Sequence, residues 1–304
     1  MAAAVSAATR PLPPGAVRET LGLLYGTFKL RIGSAIMLSA LAGMAVAPGS
    51  APAPGRVALL ALAVLLSSAS AGAFNQMMER DLDRRMARTR NRPFVTGRLH
   101  AGAGWFSIIV LMTLVPVLAV ALIINGAAAL FVFLGAFVYG IVYTLWLKRR
   151  SWLNIVVGGL AGSFAVLAGA AAVDPHIGVP ALLLALVLFL WTPPHFWSLA
   201  IVYRDDYAGA GVPMLPVVHG NAIAARVILA HTLALFVLSL LPAWYGLGPI
   251  YLAGALLGGL YFVHRSVRLV IRPDAATARA NFRASLLQLC VLLLAAILDT
   301  VTLG

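Results

Sequence analysis

Nine apolar segments, each about as long as a membrane-spanning helix, constrain the fold of this chain more than any other feature of its sequence. A helix needs about twenty mostly apolar residues to cross the hydrocarbon core of a bilayer. Turn-forming residues separate the segments, as at Pro48 to Gly55 and at Asn125-Gly126. The predicted spans are residues 30–48, 56–78, 102–122, 125–147, 154–173, 179–202, 222–243, 247–266 and 282–303.

The composition is typical of a polytopic membrane protein and excludes a soluble globular domain. Of the 304 residues, 62% are hydrophobic and only 10% are charged, whereas a soluble domain is about 25% charged. The net charge of +13 is compatible with nucleic-acid binding, but the basic residues cluster in alternate loops, which is a signature of membrane topology. We therefore predict no nucleic-acid partner. The single cysteine, Cys290, lies in an apolar run and excludes an intramolecular disulfide.

The distribution of basic residues predicts the orientation. With the N-terminus inside, twenty-one of the twenty-two lysines and arginines lie on one side, and only Arg56 lies outside. This bias places the polar loops in the cytoplasm of a bacterium, or in the matrix if the source is mitochondrial. The alanine- and proline-rich residues 1–26 predict a disordered cytoplasmic tail, and residues 27–304 predict a single transmembrane domain.

The first polar cluster follows the second apolar segment. If the preceding helix continues, Asn75, Glu79 and Asp83 lie at i, i+4 and i+8 and share one face, while Asp81 points elsewhere. Six arginines occur between Arg80 and Arg92. Acidic groups beside a basic loop can hold a divalent cation together with an anionic ligand. The alternative is a solvated loop that only fixes topology.

A second polar cluster follows the sixth apolar segment and contains Asp205 and Asp206. Upstream, Pro193 and Pro194 interrupt the helical pattern inside the membrane, beside the intramembrane His195. Such a break is tolerated where protein or a cavity satisfies the freed carbonyl groups. An ionisable residue within a span indicates function, although a packed, hydrogen-bonded histidine is the alternative.

Five motifs stand out along the chain. They are Asn75 through Pro93, Lys148-Arg149-Arg150 with Asn154 and Gly158-Gly159, Pro193 through Trp197, Asp205-Asp206-Tyr207, and Gly211 through Pro216. Together these motifs resemble the UbiA superfamily of intramembrane prenyltransferases, and within it the haem-farnesylating branch. The resemblance covers about residues 25 to 303.

This resemblance implies a fold and an activity. The fold is an all-α bundle of nine transmembrane helices, with a central cavity opening near the cytoplasmic face. The activity is Mg²⁺-dependent transfer of a farnesyl group from farnesyl diphosphate to a vinyl group of haem b, which gives haem O. The implied location is the bacterial inner membrane, with the mitochondrial inner membrane as the alternative. Whether a downstream haem-modifying enzyme docks on the chain is left open.

The resemblance also assigns roles to residues. Asn75, Glu79, Asp83 and Asp206 would be catalytic through Mg²⁺, with Asp205 as a further metal ligand. Arg92 and Lys148 would contact the diphosphate, and His195 would contact haem. Independently of the resemblance, aromatic faces stabilise cations, which makes the rings at the expected cytoplasmic span ends candidates to stabilise an allylic cation. These rings are Phe74, Tyr139, Tyr143 and Tyr203, and the alternative for each is packing or an interfacial aromatic belt.

Three departures from the family pattern stand out. Glu79 stands where the family usually has aspartate. The second loop lacks the spaced pair of aspartates found in other branches, because the residue four positions after Asp206 is Ala210. Leu30 stands where a proline is expected. Two other functions remain candidates. Prenylation of a quinone precursor or another tetrapyrrole belongs to the same superfamily. A membrane transporter belongs to another class, but it would carry several ionisable residues at mid-membrane, whereas the acids here cluster at one interface.

Overall fold

The computed structural model of the chain describes residues 16–50 and 52–303, and all regular secondary structure in these ranges is helical. Eight of the described helices are long and apolar enough to cross a membrane. A ninth span arises when the first two helices, which meet at an angle of 54°, are taken as one bent span. This confirms the prediction of an all-α, multi-pass membrane protein.

The helices are α1 (Ala16–Thr27), α2 (Leu30–Ala45), α3 (Pro54–Met78), α4 (Arg80–Arg85), α5 (Pro93–Thr96), α6 (Ala103–Ile123), α7 (Gly126–Phe137), α8 (Asn154–Gly158), α9 (Leu160–Ala171), α10 (Val179–Val202), α11 (Arg204–Gly209), α12 (Leu215–Leu240), α13 (Pro249–Ile271) and α14 (Ala275–Leu303). A π-helix, Val138–Leu147, continues α7. A 3₁₀ helix, Leu241–Tyr245, continues α12.

The spans form a ring in chain order. Each of α2, α3, α6, α7, α9, α10, α12, α13 and α14 packs against the next, and α14 returns to pack against α2. Additional contacts of α2 with α9, and of α10 with α14 and α2, fill the middle of the ring. The ring brings the loops after α3, after the π-helix and after α10 to one end of the bundle. There the loop after α3 forms hydrogen bonds with the other two.

Small residues allow the closest helix approaches, as expected where lipid provides no hydrophobic drive. A Cβ atom on Gly43 of α2 would lie 2.1 Å from the carbonyl oxygen of Val166 in α9. A Cβ atom on Gly169 of α9 would lie 1.8 Å from the carbonyl oxygen of Ala40. No larger side chain fits at either position without separating α2 from α9.

The N-terminal region differs from the sequence prediction. Residues 1–15 of the predicted disordered tail lie outside the described residues, but residues 16–26 belong to α1. Its apolar residues, including Leu21 and Leu24, extend the apolar segment of α2, and the two helices together are long enough to span a membrane. Glu19 also forms a 3.0 Å ion pair with Arg98. α2 ends at Ala45, before the predicted end of the first span at residue 48, and with 16 residues it reaches spanning length only together with α1.

Several span boundaries also differ because charged and turn-forming residues occur inside helices. α12 begins at Leu215 rather than residue 222 and continues across a kink at Gly220, where φ is 80°. α14 begins at Ala275 rather than residue 282, because Arg279 and Arg283 are accommodated in its first turns. Asp299, near the other end of α14, accepts hydrogen bonds from the backbone N–H groups of Gly248, Ile250 and Tyr251, and so caps α13.

Candidate active site

The acidic ladder, which consists of Asn75, Glu79 and Asp83, lies where α3 passes into α4. The helical hydrogen bonds continue through this junction, from Glu79 N–H to Asn75 O at 3.0 Å and from Asp83 N–H to Glu79 O at 2.8 Å. Asn75, Glu79 and Asp83 are consequently all buried on one face, as the i, i+4, i+8 spacing predicted. The side chain of Asp81 is 53% exposed on the other face, which confirms that it points elsewhere.

A cationic side chain from elsewhere in the chain contacts each polar group of the ladder. Lys148 Nζ lies 2.5 Å from Glu79 Oε2. Arg92 Nη1 donates to both carboxylate oxygens of Asp83, at 2.9 and 2.7 Å. Arg92 and Lys148, predicted from the sequence as diphosphate contacts, thus pair with the predicted metal ligands. The ladder carries its own counter-ions, which lowers the cost of burying its charges.

Lys29, at the break between α1 and α2, supplies the third cation. Its Nζ donates to Asn75 Oδ1 at 2.7 Å and to the hydroxyl of Tyr139 at 2.9 Å. The backbone of Lys29 has a φ of 48°, the only positive value at a described non-glycine residue. Such a conformation is costly for a side chain with a Cβ, and the surrounding contacts must maintain it. Gln76 Nε2 stabilises the same break by donating to the carbonyls of Gly26 and Thr27.

Two stacked tyrosines form the aromatic wall of the site. The rings of Tyr139 and Tyr143 are 5.6 Å apart and nearly parallel. Lys29 Nζ lies 5.6 Å from the centroid of the Tyr139 ring, and Lys148 Nζ lies 5.7 Å from that of Tyr143. Both rings belong to the π-helix, a conformation often found at functional sites. Lys29 approaches Tyr139 at its hydroxyl, whereas Lys148 lies near the ring of Tyr143, which is therefore the ring already close to a cation.

The second acidic loop, which contains Asp205 and Asp206, packs against the arginine-rich loop, which is the segment from Arg80 to Arg92. Asp206, in α11, accepts 3.3 Å hydrogen bonds from the backbone N–H groups of Ala87 and Arg88. The guanidinium group of Arg88 also lies over the ring of Tyr203, 5.2 Å from its centroid. Asp206 therefore meets the first loop through backbone groups, while its neighbour Asp205 is exposed. The two polar clusters found in the sequence are adjacent in space.

A further ion pair covers this end of the bundle. Arg149 donates to both carboxylate oxygens of Asp81 at 2.8 Å. These hydrogen bonds hold the pKa of the Asp81 carboxyl below its ordinary value. Because both side chains are substantially exposed, this pair joins the loops after α3 and after the π-helix without being enclosed.

A cavity of about 390 Å³ opens beside the ladder, between the α1–α2 break and the arginine-rich loop. Its walls carry three cations, Lys29, Arg88 and Arg92. Arg92 and Lys29 contact the ladder directly, so an anion in this cavity would lie beside the buried acids. The remaining lining residues are Gly26, Ile32, Gln76, Asn91 and Pro93.

The oxygen donors of the ladder fit a hard divalent cation such as Mg²⁺. Glu79 is 1% exposed, and its Oε1 has no hydrogen-bond partner among the described residues, although the other oxygen contacts Lys148. A buried carboxylate oxygen without a partner is costly unless a cation or donor reaches it. Within the described ranges, no three histidine, cysteine or acidic side chains gather as a metal site. A cation here would need ligand oxygens from Asn75 and from the substrate as well, which is the usual way Mg²⁺ binds.

His195 is deeply packed in α10. It is 7% exposed and lies between the rings of Trp191 and Phe282, with centroid distances of 4.2 and 4.4 Å. Its Nδ1 lies 2.7 Å from the Oγ atom of Ser285 in α14. Among the described residues, no hydrogen bond joins His195 to Asn75, Glu79 or Asp83.

Two residues of the site escaped the sequence analysis as functional candidates. Lys29 was not among the predicted site residues, because its neighbours Phe28 and Leu30 are apolar and gave no sign that the chain bends there. Thr144, which accepts a 3.1 Å hydrogen bond from Asn75 Nδ2, occurs in an apolar run as an ordinary threonine. Only the packing of the π-helix against α3 reveals it.

Comparison with known proteins identifies the family. The sequence profile of the UbiA prenyltransferase family matches residues 36–289. This chain belongs to that family. Two relatives come from Paramagnetospirillum magneticum: protoheme IX farnesyltransferase 2 and protoheme IX farnesyltransferase 1. The first is 56% identical over 93% of this chain and 99% of its own length. The second is 47% identical over 89% of this chain and 95% of its own length.

Solved structures of UbiA proteins share the fold. A UbiA homologue from Archaeoglobus fulgidus bound to GPP and Mg²⁺ superposes with a TM-score of 0.67 at 15% identity, covering 90% of this chain and 99% of its own. The UbiA fold of this chain is thus established independently of the sequence match.

Proposed function

We propose that this protein transfers a farnesyl group from farnesyl diphosphate to a vinyl group of haem b, giving haem O and diphosphate. The observation that carries the proposal is the 56% identity, over nearly the whole chain, to a protein named protoheme IX farnesyltransferase. The buried ladder with its counter-ions supports it, because an enzyme that ionises a diphosphate ester needs cations and aligned acids at one place.

The cations of the site would receive the diphosphate. Arg92 and Lys148, now paired with Asp83 and Glu79, would exchange these carboxylates for diphosphate oxygens. A guanidinium group suits bidentate contact with phosphate oxygens, and lysine acts as a point charge. Lys29, which lines the same cavity, would contribute a third positive charge.

The oxygens that this exchange leaves free would hold Mg²⁺. We assign Asn75, Glu79, Asp83 and Asp206 as its ligands, with Asp205 as a further predicted ligand. When bound, the metal neutralises the diphosphate and stabilises the departing oxygens. The unpartnered Oε1 atom of Glu79 supports its place among these ligands, and the Mg²⁺ bound by the Archaeoglobus fulgidus homologue supports the choice of metal.

Aromatic rings would protect the allylic cation that forms when diphosphate leaves. The faces of Tyr139 and Tyr143 line the site next to the ladder, and Tyr143 is buried. Quadrupole attraction between such rings and a cation is strongest where water is excluded. We propose that these two residues stabilise the farnesyl cation until the vinyl group attacks.

Haem b would bind farther along the bundle, with His195 as its contact. The stacked rings on both sides of the imidazole fix its plane, and the Nδ1 contact with Ser285 leaves Nε2 for a ligand.

The protein is a multi-pass membrane protein, and we propose that it occupies the bacterial inner membrane with its N-terminus and active site in the cytoplasm. The concentration of basic residues in loops at one end supports this orientation. The partners in this proposal are farnesyl diphosphate, haem b and the lipid bilayer; docking of a downstream haem-modifying enzyme stays an open prediction.

Mass spectrometry of extracted haems tests the proposal. Cells that lack haem O should accumulate it when they express this chain, and cells with an empty vector should not. Membranes from the expressing cells should convert haem b and farnesyl diphosphate to haem O with Mg²⁺, and a chelator should stop the conversion. Absence of haem O from expressing cells would contradict the proposed acceptor, and a chelator-insensitive rate would contradict the role of Mg²⁺.

A further inference from the structure

The amide of Asn75 has a fixed orientation. Its two terminal atoms face different partners, with Lys29 Nζ at 2.7 Å on one side and Thr144 Oγ1 at 3.1 Å on the other. A lysine ammonium group can only donate hydrogen bonds. The atom next to Lys29 must therefore be the oxygen, and the NH₂ group must face Thr144.

The hydroxyl of Thr144 independently requires the same orientation of the Asn75 amide. It has one hydrogen, which it donates to the carbonyl oxygen of Tyr139 at 2.8 Å. Its lone pairs can then only accept, so the group that faces it must be a donor. The NH₂ group of Asn75 meets this requirement, whereas its carbonyl oxygen would be repelled.

The π-helix makes this arrangement possible. The hydroxyl of Thr144 reaches back five residues to Tyr139, in register with the wide turns of Val138–Leu147. In an α-helix, a threonine hydroxyl reaches the carbonyl three or four residues earlier. Both Thr144 and Asn75 are almost completely buried, so water does not compete for these hydrogen bonds.

We propose that Thr144 is a positioning residue that holds Asn75 with its Oδ1 atom, and not its NH₂ group, towards the bound cation. The proposal rests on the proposed use of Mg²⁺ and farnesyl diphosphate. When Lys29 leaves Asn75 to contact the diphosphate, Thr144 becomes the partner that keeps the amide from turning over. A reversed amide would replace a ligand oxygen with an NH₂ group that repels Mg²⁺.

The test measures binding rather than turnover. Purified protein in detergent is titrated with Mg²⁺ in the presence of farnesyl thiodiphosphate, an unreactive analogue, and the midpoint of thermal unfolding is recorded. Thr144→Val removes the acceptor with little change of volume, and Thr144→Ser keeps the hydroxyl as the matched control. Loss of a group that orients a metal ligand lowers metal affinity about tenfold or more. We expect Thr144→Val to need about tenfold more Mg²⁺ for half of the stabilisation, and Thr144→Ser to titrate like the wild type.

A double-mutant cycle separates orientation from packing. In an Asn75→Asp background both terminal atoms are oxygens, so there is no wrong orientation for Thr144 to prevent. Thr144→Val should then shift the Mg²⁺ midpoint much less than in the wild-type background. Equal shifts in both backgrounds would make Thr144 a packing residue and overturn the proposal. If Thr144→Val is not recovered folded, Thr144→Ala enters the same cycle.

The outcomes distinguish the two levels of the argument. A wild-type protein that Mg²⁺ and the analogue do not stabilise would contradict the proposed metal and diphosphate site, and the role of Thr144 with it. A wild-type protein that is stabilised, with a Thr144→Val variant that titrates identically, would overturn only the role of Thr144.

Discussion

Replacing Lys148 with methionine tests whether the ladder depends on its counter-ions. Lys148 and Glu79 form a pair in which the carboxylate is 1% exposed and the lysine side chain 11% exposed. The second oxygen of Glu79 has no partner among the described residues. Lys148→Met therefore leaves a buried carboxylate without a counter-ion, while methionine preserves most of the side-chain volume.

The size of the effect follows from this burial. Removing one member of a buried ion pair costs about 3–5 kcal/mol, because the remaining charge stays desolvated. For a protein of this size, that corresponds to a fall on the order of 10 °C in the midpoint of thermal unfolding. Mg²⁺ should recover part of the loss, since a divalent cation can replace the missing ammonium group.

The neighbouring residue supplies a matched control. Arg149 pairs with Asp81 in the same segment, but the two side chains are 41% and 53% exposed. Breaking an exposed pair costs about 0–1 kcal/mol, so Arg149→Met should change the midpoint by only a few degrees. The double variant Glu79→Gln/Lys148→Met, which removes both charges, should be more stable than Lys148→Met alone.

The assay is thermal unfolding of the purified protein in detergent, with and without Mg²⁺, followed by intrinsic fluorescence. Scan rate and detergent are kept constant, because unfolding of such proteins is often irreversible. The reasoning is refuted if Lys148→Met destabilises the protein no more than Arg149→Met, or if the double variant is less stable than Lys148→Met.

Two further substitutions test other contacts of the site. His195→Ala should weaken haem binding, seen as reduced Soret absorbance of the purified protein, while His231→Ala, which alters a histidine that is only partly buried, should not; equal absorbance would assign His195 to packing. Asp206→Ala removes the acceptor for two backbone N–H groups of the arginine-rich loop and should speed tryptic cleavage there, because the loop opens more often. The adjacent exposed Asp205 provides the control variant, and equal cleavage of the two variants would show that Asp206 does not hold the loop.

Hydropathy predicted most of the fold because long apolar helices leave a strong local signal. The span predicted at 125–147 corresponds to Gly126–Leu147, and the one at 179–202 to α10. The signal failed where tertiary contacts decide the conformation. α1 was not predicted, because its docking depends on Gln76 and Arg98 from distant parts of the chain. The π-helical geometry after α7 has no signature in the apolar pattern.

The acidic ladder was predictable for the same local reason, since a spacing of four residues fixes a common helix face. Its partners were not predictable, because Lys29 lies 46 positions from Asn75 and Lys148 lies 69 positions from Glu79. Arg92 and Lys148 were predicted from the sequence as diphosphate contacts, and their ion pairs with Asp83 and Glu79 became visible only in the fold. The polar role of Thr144 likewise depends on a contact between α3 and the π-helix.

Turnover of haem b by variants of the ladder tests the central claim, that these buried acids hold the cation that draws diphosphate away from the farnesyl chain. Purified Glu79→Ala and Asp83→Ala proteins, shown to be folded by thermal unfolding, are supplied with haem b, farnesyl diphosphate and Mg²⁺, and haem O is quantified by mass spectrometry. We predict a loss of about a hundredfold or more for each variant, with Asp81→Ala, which alters the exposed acid of the same segment, close to wild type. Undiminished haem O formation by folded Glu79→Ala and Asp83→Ala would contradict the account.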